Sequence, residues 1–274
     1  MSDIARLGLR GLTLALAAAM SLAGASPAVT GPEPAVAVER MDCLAPPYAE
    51  AATRREREIA SLVGWLRSAL VPYDSLLRLL DGDAPEVCIA GNVFGVQGYY
   101  DVEAHRVVLK DALAPALMRA VAVHELRHVQ QAAIGVCPGP ELSMEATAHA
   151  TLAMEADASA VSLAIAWQLR GAGQGEVWAA LAGWDSHATL ADAFEAEMSR
   201  SGDLAGATAA AFSAWFDHEW LRDAYYLAAC SAYLDRQDRT HALPRYGSIA
   251  PGYLDSLCRL PDGESYPCAV PADG

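Results

Sequence analysis

Apolar residues recur at helical spacing through most of the chain beyond residue 48. Ile59, Leu62, Val63, Leu66 and Leu70 predict a helix over "YAEAATRREREIASLVGWLRSAL", with Pro72 beyond its end. "PYDSLLRLLDGD" predicts a short second helix that stops in an Asp-Gly-Asp turn. The period then changes. "EVCIA", "VQGYY" and "RVVLK" are short β-prone runs, punctuated by Gly91, Gly95 and Gly98, with "DVEAH" as a turn. They predict three short antiparallel strands.

Helical spacing returns in "ALAPALMRAVAVHELRHVQQAAIG", with Asp111 as the expected cap, Pro115 in or before the first turn and Gly135 as the stop. A second long helix is expected from about Glu141 to Arg170, ended by "GAGQG". Three further helical stretches follow: "EVWAALAGW", "SHATLADAFEAEMSR" and "AGATAAAFSAWFDHEWLRDAYYLAACSAYLDRQ". From Leu243 onward prolines and glycines predict an irregular tail. The pattern is that of one α+β domain, mainly α, over residues 48–274: a small antiparallel sheet leading into a helix and a helical bundle.

Composition sharpens this picture at four points. The chain is 53% hydrophobic but only 7% aromatic, because alanine dominates the apolar count, which favours helix. A formal net charge of -15 argues against nucleic acid or an anionic membrane surface as partner. The first residues differ from the rest: Arg6 and Arg10 precede "GLTLALAAAMSLAGA", and Ala23-Gly24-Ala25 has the small-x-small form of a cleavage site. Residues 1–25 therefore read as a signal peptide and 26–47 as a linker, so export to the periplasm or medium is expected, with no membrane association after cleavage. Six cysteines beyond that point, none in a C-x-x-C pair, suit an oxidising compartment with up to three disulfides. Cys258 and Cys268 lie in the irregular tail, which would profit most from a staple.

The third predicted helix carries the chemistry. His124 and His128 stand four apart, so both imidazoles can aim at one metal ion. Glu125 is rotated by about 100° from His124 and flanks that point, where a carboxylate can act as general base on a metal-activated water. Glu125 and His128 also match the E-x-x-H unit of di-iron bundles. Those need a second copy, however, and Glu145 to His149 is spaced by four. Two histidines leave a zinc ion short of a third protein ligand. Glu155, mid-helix among alanines, is favoured, with Glu145 and His149 as rivals.

"HELRHVQQ" followed by "MEADASA" resembles the gluzincin class of zinc metallopeptidases, and within it a bacterial group with the H-E-x-R-H-x-x-Q run and a downstream E-A-D-A. The resemblance covers residues from about 86 to 170. It implies a zincin-like fold, a peptide or protein substrate, and Zn2+ held by His124, His128 and Glu155 with Glu125 as base. The thermolysin-type pattern places an acid four residues after the third ligand, where this chain has Ser159; Asp157 is the available carboxylate to orient a ligand histidine. His218, Tyr225 and Tyr226 are candidate oxyanion donors. The strand near "VQGYYD" could pair with an extended substrate. Two other functions are compatible with the residues: a non-catalytic secreted helical binding protein, and a metallohydrolase acting on a non-peptide amide.

Overall fold

A computed structural model describes residues 41–91, 93 and 96–271. The expected signal peptide and all but the last residues of the expected linker lie outside this range. Four strands and nine helices are found among the described residues, in the order β1 (Met41–Leu44), α1 (Arg54–Ala69), α2 (Asp74–Asp81), β2 (Glu86–Ala90), β3 (Gly98–Asp101), β4 (Arg106–Lys110), α3 (Pro115–Ala133), α4 (Met144–Gly171), α5 (Gly175–Ala182), α6 (Ala188–Ser201), α7 (Leu204–Phe216), α8 (Glu219–Thr240) and α9 (Tyr253–Leu257). The protein is mainly helical with a small sheet, the expected fold class.

The sheet itself departs from expectation. Its order is β1-β2-β4-β3, and it is mixed: β2 and β4 run parallel, while β1 pairs antiparallel with β2 and β3 with β4. After β3 the chain turns through residues 102–105 and lays β4 between β2 and β3, a long-range pairing that local periodicity does not reveal. β1 falls in the segment expected to be linker. Cys43 on β1 stands directly opposite Cys88 on β2, and a disulfide joins them.

Local chemistry explains the helix boundaries. Thr53 and Glu56 form a capping box at the start of α1, each satisfying a backbone N–H of the other end. Pro115 opens α3 with no side-chain cap. Asp111 instead accepts from the Ala112 N–H and from Arg55, which also pairs with Asp42. The expected continuous helix over 205–237 breaks at Asp217 and His218. The apolar stripe of Phe212, Trp215 and Phe216 would continue at 219 and 223, which are Glu219 and Asp223; the buried residues beyond are Leu221, Ala229 and Tyr233, on a different phase.

α4 is the central element. At 28 residues it spans about 42 Å. It packs against α3, α5, α7 and α8, and residues such as Ala148, Ala156, Ala158, Ala160 and Ala166 let neighbours approach on every side. α3 bridges this bundle and the sheet, touching β3 and β4 on one side and α4 and α5 on the other. A disulfide also joins Cys258 and Cys268 in the tail, while Cys137 and Cys230 are reduced. No helix among the described residues is long and apolar enough to cross a membrane.

Candidate metal centre

α3 presents His124 and His128 on one face, and α4 crosses it so that Glu155 meets them. His124 Nε2 and His128 Nε2 lie 3.1 Å apart. Glu155 Oε2 is 3.5 Å from the first and Oε1 is 3.5 Å from the second. These ligand atoms all lie within 4.8 Å of one another, whereas Glu145 and His149, two turns earlier on α4, are not part of the group. His149 packs near Tyr226 on α8 instead.

The donor set fits a divalent metal. Two imidazole nitrogens facing one another at hydrogen-bond distance, with a carboxylate 3.5 Å from each, can share a proton or a metal ion between them. Burial opposes charge on His128, but the Glu155 carboxylate outweighs it and raises the imidazole to about 9. Burial likewise opposes ionisation of Glu155, yet His128 and His124 hold it well below the usual carboxylate range. The pocket is thus biased towards a carboxylate facing positive charge.

The tautomer of His128 is also fixed. Gln131 donates its amide Nε2 to Met154 O at 2.9 Å and to Asp157 Oδ2 at 2.7 Å. Its Oε1 therefore faces His128 Nδ1, at 2.7 Å, and must accept from it. When His128 is neutral, as it must be to bind a metal, the Nε2 lone pair is therefore the one directed at the shared centre. Asp157 reaches the histidine only through Gln131. Its own carboxylate is spent on Arg127, Gln131 and Tyr266.

Glu125 is buried beside the centre, wedged between α3 and β3. Its Oε2 has no hydrogen-bond partner, and burial raises its carboxyl above the usual value. A Cβ at Gly98 on β3 would stand 2.8 Å from Val121 Cγ1, 3.0 Å from Val108 O and 3.1 Å from Glu125 Oε1. Glycine is what lets the strand approach the glutamate this closely. Gly98→Ala is therefore expected to cost about 1–3 kcal/mol of stability and to displace Glu125; thermal unfolding and turnover measured together should both fall, and an unchanged Tm would contradict the close contact.

The centre opens into a cavity of about 540 Å³ whose apolar wall includes Val96, Val121, Trp184, Trp215 and Trp220, and whose polar groups include His187, His218 and Tyr225 as well as His124 and Glu125. The charge of Glu155, then burial, holds the Tyr225 phenol protonated far above its usual range. His218 borders the mouth, at the break between α7 and α8. Tyr226, beside Tyr225 in sequence, faces Cys230 and Glu145 and does not line the cavity.

His187 is the residue that the sequence did not single out. It is 6% exposed, stacks on Trp184 with ring centroids 4.5 Å apart, and lies 6.4 Å from the His124 ring. Nδ1 meets Ser186 Oγ at 3.0 Å, and Nε2 is buried without a partner. Burial, reinforced by His124, lowers its imidazole to about 3, so it is neutral. It sits on the α5–α6 connection, where no periodicity marks it.

No curated protein and no solved structure matches this chain. One family model does, over residues 34–268, and its span takes in the sheet, α3, α4, the cavity walls and the stapled tail. With that match covering most of the chain, the protein belongs to the family described as "Putative metallopeptidase family (DUF6782)".

Proposed function

We propose that the protein is an exported zinc peptidase in which His124, His128 and Glu155 hold the metal and Glu125 is the general base. The observation that carries this reading is the convergence of three half-buried donors on one point with an unpartnered buried carboxylate beside it. Zinc bound there would supply a Lewis acid that acidifies water and polarises a scissile carbonyl.

The remaining work falls to the chain's own groups. Glu125, its basicity increased by burial, accepts a proton from the attacking water at Oε2 and delivers it to the leaving amine. Tyr225, protonated at any working pH, and the free Nε2 of neutral His187 are donors for the carbonyl oxygen as charge develops on it. Among the described residues β3 is an edge strand, paired with β4 alone, and an extended peptide laid against its open side would enter the cavity beside Gly98. Trp184, Trp215 and Trp220 favour substrates with a large apolar side chain next to the cleaved bond. The two disulfides suit an exported protein.

Metal analysis of protein purified without chelators tests this. Wild type is expected to carry one zinc per chain and to cleave a mixed peptide library beside large apolar residues, whereas His128→Ala loses both metal and cleavage. Wild type with no stoichiometric metal, or zinc-loaded protein that cleaves no peptide, would sink the reading.

A further inference from the structure

The runs "HELRHVQQ" and "EADA" contain four polar residues that supply no donor atom to the metal group: Arg127, Gln130, Gln131 and Asp157. Polar groups inside a helical interface require partners. All four are buried, with Gln131 and Asp157 at 0% exposure, and none lines the cavity. Arg127 and Asp157 bond directly to the C-terminal loop that follows α9, Gln130 reaches it through Ser75, and Gln131 reaches it through Asp157.

Their partners form one continuous network. Arg127 pairs bidentately with Asp157, Nε to Oδ2 at 2.7 Å and Nη2 to Oδ1 at 3.0 Å. The same Nη2 donates to Leu257 O at 2.8 Å and Arg259 O at 2.9 Å, and Nη1 donates to Gln130. Gln130 donates on to Ser75 Oγ at 2.8 Å, and Ser75 donates to Pro261 O. The Tyr266 hydroxyl fills the last open place on Asp157 at 2.6 Å. The loop is a small hairpin: Arg259 bridges Ser265, Tyr266 N–H donates to Cys258 O at 3.1 Å, and the Cys258–Cys268 disulfide ties its ends. From Tyr266 the path runs through Asp157 and Gln131 to the Nδ1 of His128.

The geometry points to a second role for this signature: Arg127, Gln130, Gln131 and Asp157 form a socket for the C-terminal hairpin, and the docked hairpin fixes the ring of His128 for metal binding. Gln131, Asp157 and Tyr266 are positioning residues, and none of them touches the metal or the substrate. Asp157 is the hinge of the argument. It takes two hydrogen bonds from Arg127, one from Gln131 and one from Tyr266, so its orientation depends on the hairpin, and the Gln131 amide that sets the His128 tautomer depends on Asp157. The disulfide holds the hairpin in the form that presents Tyr266.

This inference rests on the metal reading above. Its test is the zinc affinity of the purified full chain, measured by competition with a chromophoric chelator, with the cobalt(II) spectrum as a second readout. Gln131→Leu is expected to weaken zinc binding about 10- to 100-fold, and Tyr266→Phe by a smaller factor of about 3- to 10-fold. Both should alter the cobalt ligand-field bands, because the imidazole shifts while the ligand set is unchanged. Cys258→Ala/Cys268→Ala should weaken binding as Tyr266→Phe does, whereas Cys43→Ala/Cys88→Ala, at the far edge of the sheet, should not. Gln131→Glu, which keeps an acceptor for Nδ1, should recover part of the affinity lost in Gln131→Leu. If wild type binds zinc and the Gln131 and Tyr266 variants match it in affinity and spectrum, the socket role is overturned. If wild type binds no zinc, the metal reading itself fails.

Discussion

Glu125→Gln is expected to retain stoichiometric zinc while kcat falls about 10²- to 10⁴-fold, the usual contribution of a positioned general base. The amide is nearly isosteric with the carboxylate, so it fills the same slot between α3 and Gly98 without the clash that a longer side chain would meet. It cannot accept the proton. The three donors are untouched, so metal content separates this variant from His128→Ala, in which zinc and activity vanish together. KM should change little, because Glu125 acts on the water rather than on substrate binding. A Glu125→Gln protein with wild-type turnover would remove Glu125 from the mechanism and shift attention to Glu155.

Removing one member of the Arg127–Asp157 pair should have the largest effect on stability. Both side chains are almost wholly buried, and each would leave the other as an uncompensated charge in a dry interface. Asp157→Ala or Arg127→Met is expected to cost about 3–5 kcal/mol, a fall in Tm of about 6–20 °C for a domain of this size. Arg127→Met also strips two carbonyls of the C-terminal loop, Leu257 O and Arg259 O, of their donor. Thermal unfolding with excess chelator isolates this term from metal binding. The double variant Arg127→Met/Asp157→Leu should cost clearly less than the sum of the single changes, since it leaves no lone charge. Additive losses would show that the pair acts as two independent groups.

The two kinds of information in this chain differ in range. His124, Glu125 and His128 are legible because their relation is set within one turn of one helix. Glu155 required a choice between two carboxylates on α4, and only the crossing of α3 and α4 brings one of them to 3.5 Å from both histidines. The spacing offers Asp157 as a carboxylate to orient a ligand histidine; in the fold it meets His128 only by way of Gln131, a residue whose part depends on packing rather than spacing. His187 escaped notice because it lies on a connection and reaches the cavity by stacking on Trp184. The helices were legible from their apolar stripes, apart from the break at Asp217 and His218, where the stripe changes phase, and from α9, a five-residue helix in the tail expected to be irregular. β1 and the parallel pairing of β2 with β4 were not, because a four-residue strand has no period to detect and its partners are far along the chain.

The alanine surface of α4 decides where this protein can change over evolutionary time. Residues such as Ala156, Ala158 and Ala160 have 0% exposure, so any larger side chain there would push α3 or α7 outwards, and a shift of α3 would draw His124 and His128 away from Glu155. That helix is frozen. The walls facing the substrate come instead from the Trp184–His187 connection and from α8, whose outer face leaves Trp220 and Leu227 more than two-thirds exposed. Substitutions there alter which side chain the cavity accepts without moving any donor of the metal centre. New substrate preferences in relatives of this protein should therefore arise by exchange of those two segments, with α3 and α4 retained nearly unaltered.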